Sequence, residues 1–146
     1  DASNAIRLKP DFDSAYYNRG LAYFYLKNYD PALSDFTRVT QLKPNDADAY
    51  YYRGRVYYAQ ENWPQAIVNF SRSIDYNPKD ADAFNYRGIC YYYQRNNQAA
   101  IDDYTEAIRL SPKVNYYKNR ALAYEAIGRN DLANADKRRA QQLEQQ

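Results

Sequence analysis

Residues 47–80 read ADAYYYRGRVYYAQENWPQAIVNFSRSIDYNPKD, and residues 81–113 restate the pattern as ADAFNYRGICYYYQRNNQAAIDDYTEAIRLSPK. Pro10, Pro44, Pro78 and Pro112 follow one another at intervals of 34 residues, and the pairs Arg19-Gly20, Arg53-Gly54 and Arg87-Gly88 keep the same interval. A fixed period of a few tens of residues decides an architecture before local propensity does. The fourth pair, Arg120-Ala121, comes 33 residues on, so one residue is missing from the turn between Pro112 and Tyr117, where a deletion is readily absorbed.

The period divides the chain into units at 13–46, 47–80, 81–113 and 114–146, preceded by residues 1–12, which read through Ile6, Leu8 and Pro10 as the end of an earlier unit. Each unit carries two apolar stripes at helical spacing, for instance Tyr16, Gly20 and Tyr23, then Ala32, Phe36 and Val39. The unit is therefore a helical hairpin, helix A followed by helix B.

Asn28, Asn62 and Asn96 stand between the stripes, where a left-handed residue is expected to end helix A, and Gly128 does so one residue earlier in the fourth unit. Asp30-Pro31 and Pro64 are expected to open helix B. Asp46, Asp48, Asp80 and Asp82 lie at the start of the next helix A, near its positive end.

The residue without bulk at Gly20, Gly54, Gly88 and Ala121 is expected to let helix A approach Ala32, Ala66, Ala100 and Ala133 of helix B. Tyr23, Tyr57, Tyr91 and Tyr124 fill the space beside that contact, while Phe36, Phe70 and Tyr104 reach the next hairpin. Burying each ring is worth about 2 kcal/mol or more. No hairpin hides both faces alone, so hairpins stack.

Composition narrows the chemistry. Of 146 residues 19 are tyrosine, none is histidine and one is cysteine. That excludes Ser-His-Asp and Cys-His catalysis, metal sites built from histidine or several cysteines, and any disulfide within the chain. The net charge of +2 argues against a polyanion binder that relies on bulk charge. Neither a membrane-spanning run nor a signal peptide is visible, and a cytoplasmic location is the expectation for this fragment.

The constellation resembles the tetratricopeptide repeat family. It stands three times over, as Tyr16-Gly20-Tyr23-Ala32-Phe36-Pro44, Tyr50-Gly54-Tyr57-Ala66-Phe70-Pro78 and Phe84-Gly88-Tyr91-Ala100-Tyr104-Ala107-Pro112. The fourth copy departs, with Lys137 between Ala133 and Ala140 where an aromatic is expected, and reads as a solvated cap or a truncated edge. The resemblance implies an all-α fold, a right-handed α-solenoid of antiparallel helix hairpins. It implies a non-catalytic scaffold or adaptor with no cofactor.

In similar proteins the A helices line a concave face that receives a peptide. Carried over, that face consists of Tyr17, Leu21, Phe24 and Tyr25 on the first A helix, then Asp48, Tyr51, Tyr52, Arg55 and Tyr58 on the second. The third contributes Asp82, Asn85, Tyr86, Ile89, Tyr92 and Tyr93, and the fourth Lys118. Tyrosine suits such a face because its ring is rigid and its hydroxyl bonds many peptide groups; the alternative is that half of these rings are core. Family members that clamp a chaperone's terminal carboxylate use Lys and Asn at places where this chain has Tyr17, Leu21, Tyr52, Asp82 and Tyr86, so that clamp is absent. The expected partner is a protein segment with apolar or aromatic residues, and Lys or Arg that stack on the rings.

Arg19, Arg53, Arg87 and Arg120 recur beside the small residue, opposite Asp35, Asn69, Asp103 and Asp136 on helix B. The structural reading, hydrogen bonding across the hairpin, is preferred to a ladder for anionic ligands. Cys90 takes a place filled elsewhere by Ala22, Val56 and Ala123, and reads as a buried filler. Lys137-Arg138-Arg139 reads as a solvated helix end, and the adjacent Asp102 and Asp103 point apart, which makes a poor acid–base pair. Two other functions stay open at this level: single-stranded RNA stacked on the rings, disfavoured by the charge balance, and self-association through exposed tyrosines.

Overall fold

A computed structural model describes residues 2–3 and 13–146. The expected end of an earlier hairpin in residues 1–12 thus lies, apart from Ala2 and Ser3, outside the described residues. From Asp13 onward the chain is helical: α1 Asp13–Tyr25, α2 Tyr29–Leu42, α3 Ala47–Ala59, α4 Trp63–Tyr76, α5 Ala81–Tyr93, α6 Asn97–Leu110, α7 Val114–Ala126 and α8 Asn130–Glu144. The fold is all-α, in consecutive hairpins. It divides into two compact units, the first ending at Pro78 and holding α1 to α4, the second Lys79–Gln146 holding α5 to α8.

The A helices begin as the acidic residues suggest. Asp46 caps α3 by accepting from the backbone N–H groups of Asp48 and Ala49, and Asp80 caps α5 by accepting from that of Ala83. Lys113 precedes α7 and makes no side-chain cap, where the missing residue has shortened the turn.

The turn inside each hairpin differs from expectation by one residue. The left-handed residues are Lys27, Glu61 and Arg95, with φ of 62°, 57° and 63°, and Gly128 with φ of 78°. Gly128 therefore occupies the same register as the other three. Asn28, Asn62 and Asn96 are instead the N-caps of the B helices, and Asn62 and Asn96 accept from the N–H groups of Gln65 and Ala99. Asp30 and Pro31 consequently lie inside the first turn of α2 rather than ahead of it.

The nearest neighbour of the small residue is a ring of helix B. A Cβ placed on Gly20 would meet Phe36 at 2.9 Å, one on Gly54 would meet Phe70 at 2.8 Å, and one on Gly88 would meet Tyr104 at 2.7 Å. Helix A thus lays its glycine backbone against the aromatic of helix B. The same aromatics reach the following hairpin where one follows in the unit: Phe36 packs with Val56, and Tyr104 with Ala123. In the fourth hairpin Lys137 is exposed and supplies no ring, and alanine occupies the glycine's place at Ala121.

A guanidinium clasp ties helix A to helix B inside each of three hairpins. Arg19 donates through Nε and Nη2 to Asp35 at 2.8 and 2.6 Å, Arg87 to Asp103 at 2.8 Å twice, and Arg120 to Asp136 at 2.8 and 2.7 Å. These bidentate pairs confirm the structural reading in the first, third and fourth hairpins. The second has no such pair: Asn69 donates instead to the Gln65 carbonyl at 2.9 Å within its own helix.

Candidate functional site

In the first unit the inward residues of α1 and α3 form one connected set of rings. Tyr52 lies edge-on to Tyr17, Phe24 and Tyr51, at centroid distances of 6.0, 5.8 and 5.2 Å, and stacks on Phe36 at 5.8 Å. Edge-to-face contacts of this kind fix ring orientation. Tyr25 meets Phe24 at 5.2 Å and is 64% exposed, so it stands at the rim. Tyr58 packs on Trp63 at 5.7 Å, and Leu21 is half-buried in the same cluster.

Arg55 is the central polar member. Its guanidinium carbon lies 5.0 Å from the Phe24 centroid, 5.8 Å from Tyr51 and 5.7 Å from Tyr52, within cation–π range of all three. The chain's own arginine thus already supplies one cation to these rings.

Burial sets the phenol chemistry. Tyr17 is held well above the ordinary tyrosine value, first by burial and then by the nearby Asp48 carboxylate. Tyr52 is raised by burial and by a hydrogen bond with Tyr25. Both phenols therefore stay neutral and able to donate hydrogen bonds throughout the physiological range.

Beside Tyr17 an open depression of about 240 Å³ is lined by Asp13, Ser14, Asn18, Lys43, Asp46 and Asp48. Lys43 pairs with Asp13 at 3.5 Å. Sequence reasoning included Asp48 but missed Lys43 and Asp13, which come from a helix end and a helix start; only the hairpin's closure brings them together.

The second unit is different. Asn85 is only 4% exposed and accepts from the Asn119 side-chain amide at 2.9 Å, so it is a packing residue, not part of an open face. Asp82 accepts from the Tyr116 hydroxyl and lies 3.7 Å from Lys113, and Lys118 pairs with Glu144 at 2.6 Å. Three of the polar residues expected to greet a ligand are thus engaged within the unit. Tyr116, fully buried, is the contact that sequence reasoning overlooked. Tyr86, Ile89 and Tyr92 are half-buried, and Tyr93 is 56% exposed beside a depression of about 460 Å³ lined by Tyr92, Arg95, Asn97 and Ala126.

Among the described residues no cluster of three metal-ligating side chains forms, and no described helix is long and apolar enough to cross a membrane. Cys90 is fully buried, and burial pushes its thiol up to about 12.

The fold is shared with solved structures. A crystal structure of MamA superposes with a TM-score of 0.95 at 24% identity, over 99% of this chain and 85% of that one. MamA from Desulfovibrio magneticus RS-1 gives 0.93 at 21%, over 99% and 82%. YrrB, described as a TPR protein with an unusual peptide-binding site, gives 0.83 at 20%, over 95% and 72%. No curated protein matches the chain. One tetratricopeptide repeat model matches residues 14–46 and another matches 53–115 and 91–143. With those matches spanning most of a chain built from hairpins at a 34-residue interval, the chain belongs to the tetratricopeptide repeat family.

Proposed function

We propose that the chain is a non-catalytic protein-interaction module whose first unit binds an extended partner segment across the α1 and α3 face. The observation that carries this reading is the Arg55 guanidinium set over Phe24, Tyr51 and Tyr52, with Tyr25 exposed at the edge of the same cluster. Such a surface offers rigid apolar area, phenol donors and one fixed cation, the features from which binding hot spots are built. Apolar or aromatic side chains of the partner lie against Leu21, Phe24 and Tyr25. A lysine or arginine of the partner meets Asp48, or stacks on ring faces that Arg55 leaves open.

The likeness to YrrB, whose description names a peptide-binding site, supports the class of ligand. An RNA-stacking function draws no support from the arginine series, because Arg19, Arg87 and Arg120 are clasped by aspartates.

The test is a peptide array probed with the parent chain and with Tyr25→Ala and Arg55→Met variants of unchanged helicity. Capture of aromatic, lysine-bearing peptides is expected for the parent and is reduced at least about tenfold in each variant, the scale of one lost hot-spot contact. Equal capture by all three proteins places the site elsewhere.

A further inference from the structure

The depression of about 460 Å³ in the second unit is lined by Tyr92, Tyr93, Arg95, Asn97 and Ala126, so the end of α5, the start of α6 and the end of α7 share one surface. No aspartate or glutamate is among them. Arg95 is exposed, and among the described residues its guanidinium makes no ion pair. The carboxylates nearest the lining in sequence are engaged elsewhere. Glu125 pairs with Lys137, Asp131 pairs with Arg129 at 3.1 Å, and Asp102 accepts from the Gln98 amide at 3.0 Å. The depression is left with one cation and no counter-charge.

Its aromatic part is fixed. Tyr92 packs against the buried cluster of Ala100, Ile101, Tyr104 and Ala123, and Tyr93, 56% exposed, stands edge-on to it at 5.8 Å. Repeat register accounts for the open space. Ala126 comes 33 residues after Tyr93, so the fourth hairpin supplies a methyl group where the third has a ring. Leu122 follows Arg120 by two residues as Arg55 follows Arg53, and so holds the register of Arg55. In the first unit that arginine lies over Phe24, whereas Leu122 is apolar, 49% exposed and one turn before Ala126 on the same face of α7.

We propose that this depression docks a protein segment in which an aromatic side chain is followed by a carboxylate. The partner's ring lies against Tyr92 and Tyr93 with Leu122 alongside, and its carboxylate pairs with Arg95. Ring contacts supply most of the affinity. The exposed ion pair, weak by itself, selects acidic over neutral and basic segments. The site belongs to the second unit and stands independently of the function proposed for the α1 and α3 face.

Side-chain NMR of the whole chain tests this, with a capped Phe-Glu dipeptide as probe and capped Phe-Gln, Phe-Lys and Ala-Glu as controls at constant ionic strength. The Tyr93 ring, Ala126 methyl and Arg95 Nε–Hε signals are expected to move saturably with Phe-Glu at one common dissociation constant. Phe-Gln should bind about three- to fivefold more weakly, the scale of one exposed ion pair. Ala-Glu should bind about tenfold more weakly through loss of the ring. Arg95→Glu should reverse the order, so that Phe-Lys binds better than Phe-Glu. Arg95→Gly, which relieves the left-handed turn and keeps the chain at least as stable, should bind Phe-Glu no better than Phe-Gln. Tyr25→Ala in the first unit should change none of these responses. Stationary Tyr93 and Arg95 signals at tens of millimolar Phe-Glu, equal affinity of the parent for Phe-Glu and Phe-Gln, or an unreversed order in Arg95→Glu overturns the proposal.

Discussion

Gly88 packs directly against the ring of Tyr104, so closely that a methyl group on Gly88 would come within 2.7 Å of Cε1. Tyr104 is itself buried and cannot swing aside. Overpacking of this kind costs about 1–3 kcal/mol, against roughly 1 kcal/mol gained by replacing a helical glycine with alanine. Gly88→Ala is therefore expected to lose up to about 2 kcal/mol in urea unfolding, and Tyr104→Leu in the same chain to recover part of that loss. Ala121→Gly, in the hairpin without the ring, should cost only about 0.5–1 kcal/mol through helix propensity. Equal losses for Gly88→Ala and Ala121→Gly would mean that the ring contact is not what selects glycine.

Glu61 ends helix A in the left-handed conformation, at φ 57°, where the fourth hairpin has Gly128. A side chain there is strained by roughly 1–2 kcal/mol, partly offset by the greater freedom that glycine has in the unfolded chain. Glu61→Gly and Arg95→Gly are each expected to raise stability by about 0.5–1 kcal/mol, measured by thermal and urea unfolding. A loss of stability in both would contradict the turn geometry.

Two carboxylates on α6 should respond to pH with opposite sign. Burial holds Asp103 above the ordinary aspartate value of 3.8, with Arg87 opposing. The folded chain thus binds that proton more tightly than the unfolded one, and the associated stability is full below 3.8 and lost as pH rises through the folded value. Glu106 is held below its ordinary 4.5 by the hydrogen bond from Arg109, so its contribution is present above 4.5 and lost as pH falls through the folded value. Stability of the parent relative to Asp103→Asn should therefore rise on acidification from neutral pH. Relative to Glu106→Gln it should fall slightly, the site being exposed. Slopes of the same sign would show that burial and pairing have been assigned wrongly.

Cys90 is sealed in the core with its thiol pushed up to about 12 by burial. Thiolate is the reactive form, so iodoacetamide at pH 8 should label the native chain only at the rate at which the fold opens. Full labelling is expected in denaturant. Rapid labelling of the folded protein, followed by mass spectrometry, would place the thiol at the surface.

The fold was legible because its signal is a period: Pro44, Gly54, Tyr57, Ala66 and Pro78 return as Pro78, Gly88, Tyr91, Ala100 and Pro112, and an interval of this length with two helical stripes per unit is that of stacked hairpins. What spacing does not carry is which of two nearby groups a residue touches. Gly20 meets the Phe36 ring of helix B, a contact that follows from side-chain direction rather than from spacing. The asparagines between helices suit a left-handed stop and an N-cap equally well by type, and the backbone uses them as caps. Of the candidate site, the aromatic positions were readable from the A-helix register. The engagement of Asn85 and Asp82 was not, because their partners Asn119 and Tyr116 lie on a helix brought alongside only by stacking, and that of Lys118 with Glu144 needs the closure of its own hairpin.

The central claim is that the α1 and α3 ring face of the first unit holds a partner segment, and ring-resonance mapping tests it most directly. A peptide captured on the array is titrated into the chain while aromatic side-chain signals are followed. The account expects Phe24, Tyr25, Tyr51 and Tyr52, together with the Arg55 Nε–Hε signal, to move at one common dissociation constant. Movement confined to B-helix rings such as Tyr29, Trp63 and Tyr76, with those five unmoved at saturation, would contradict it.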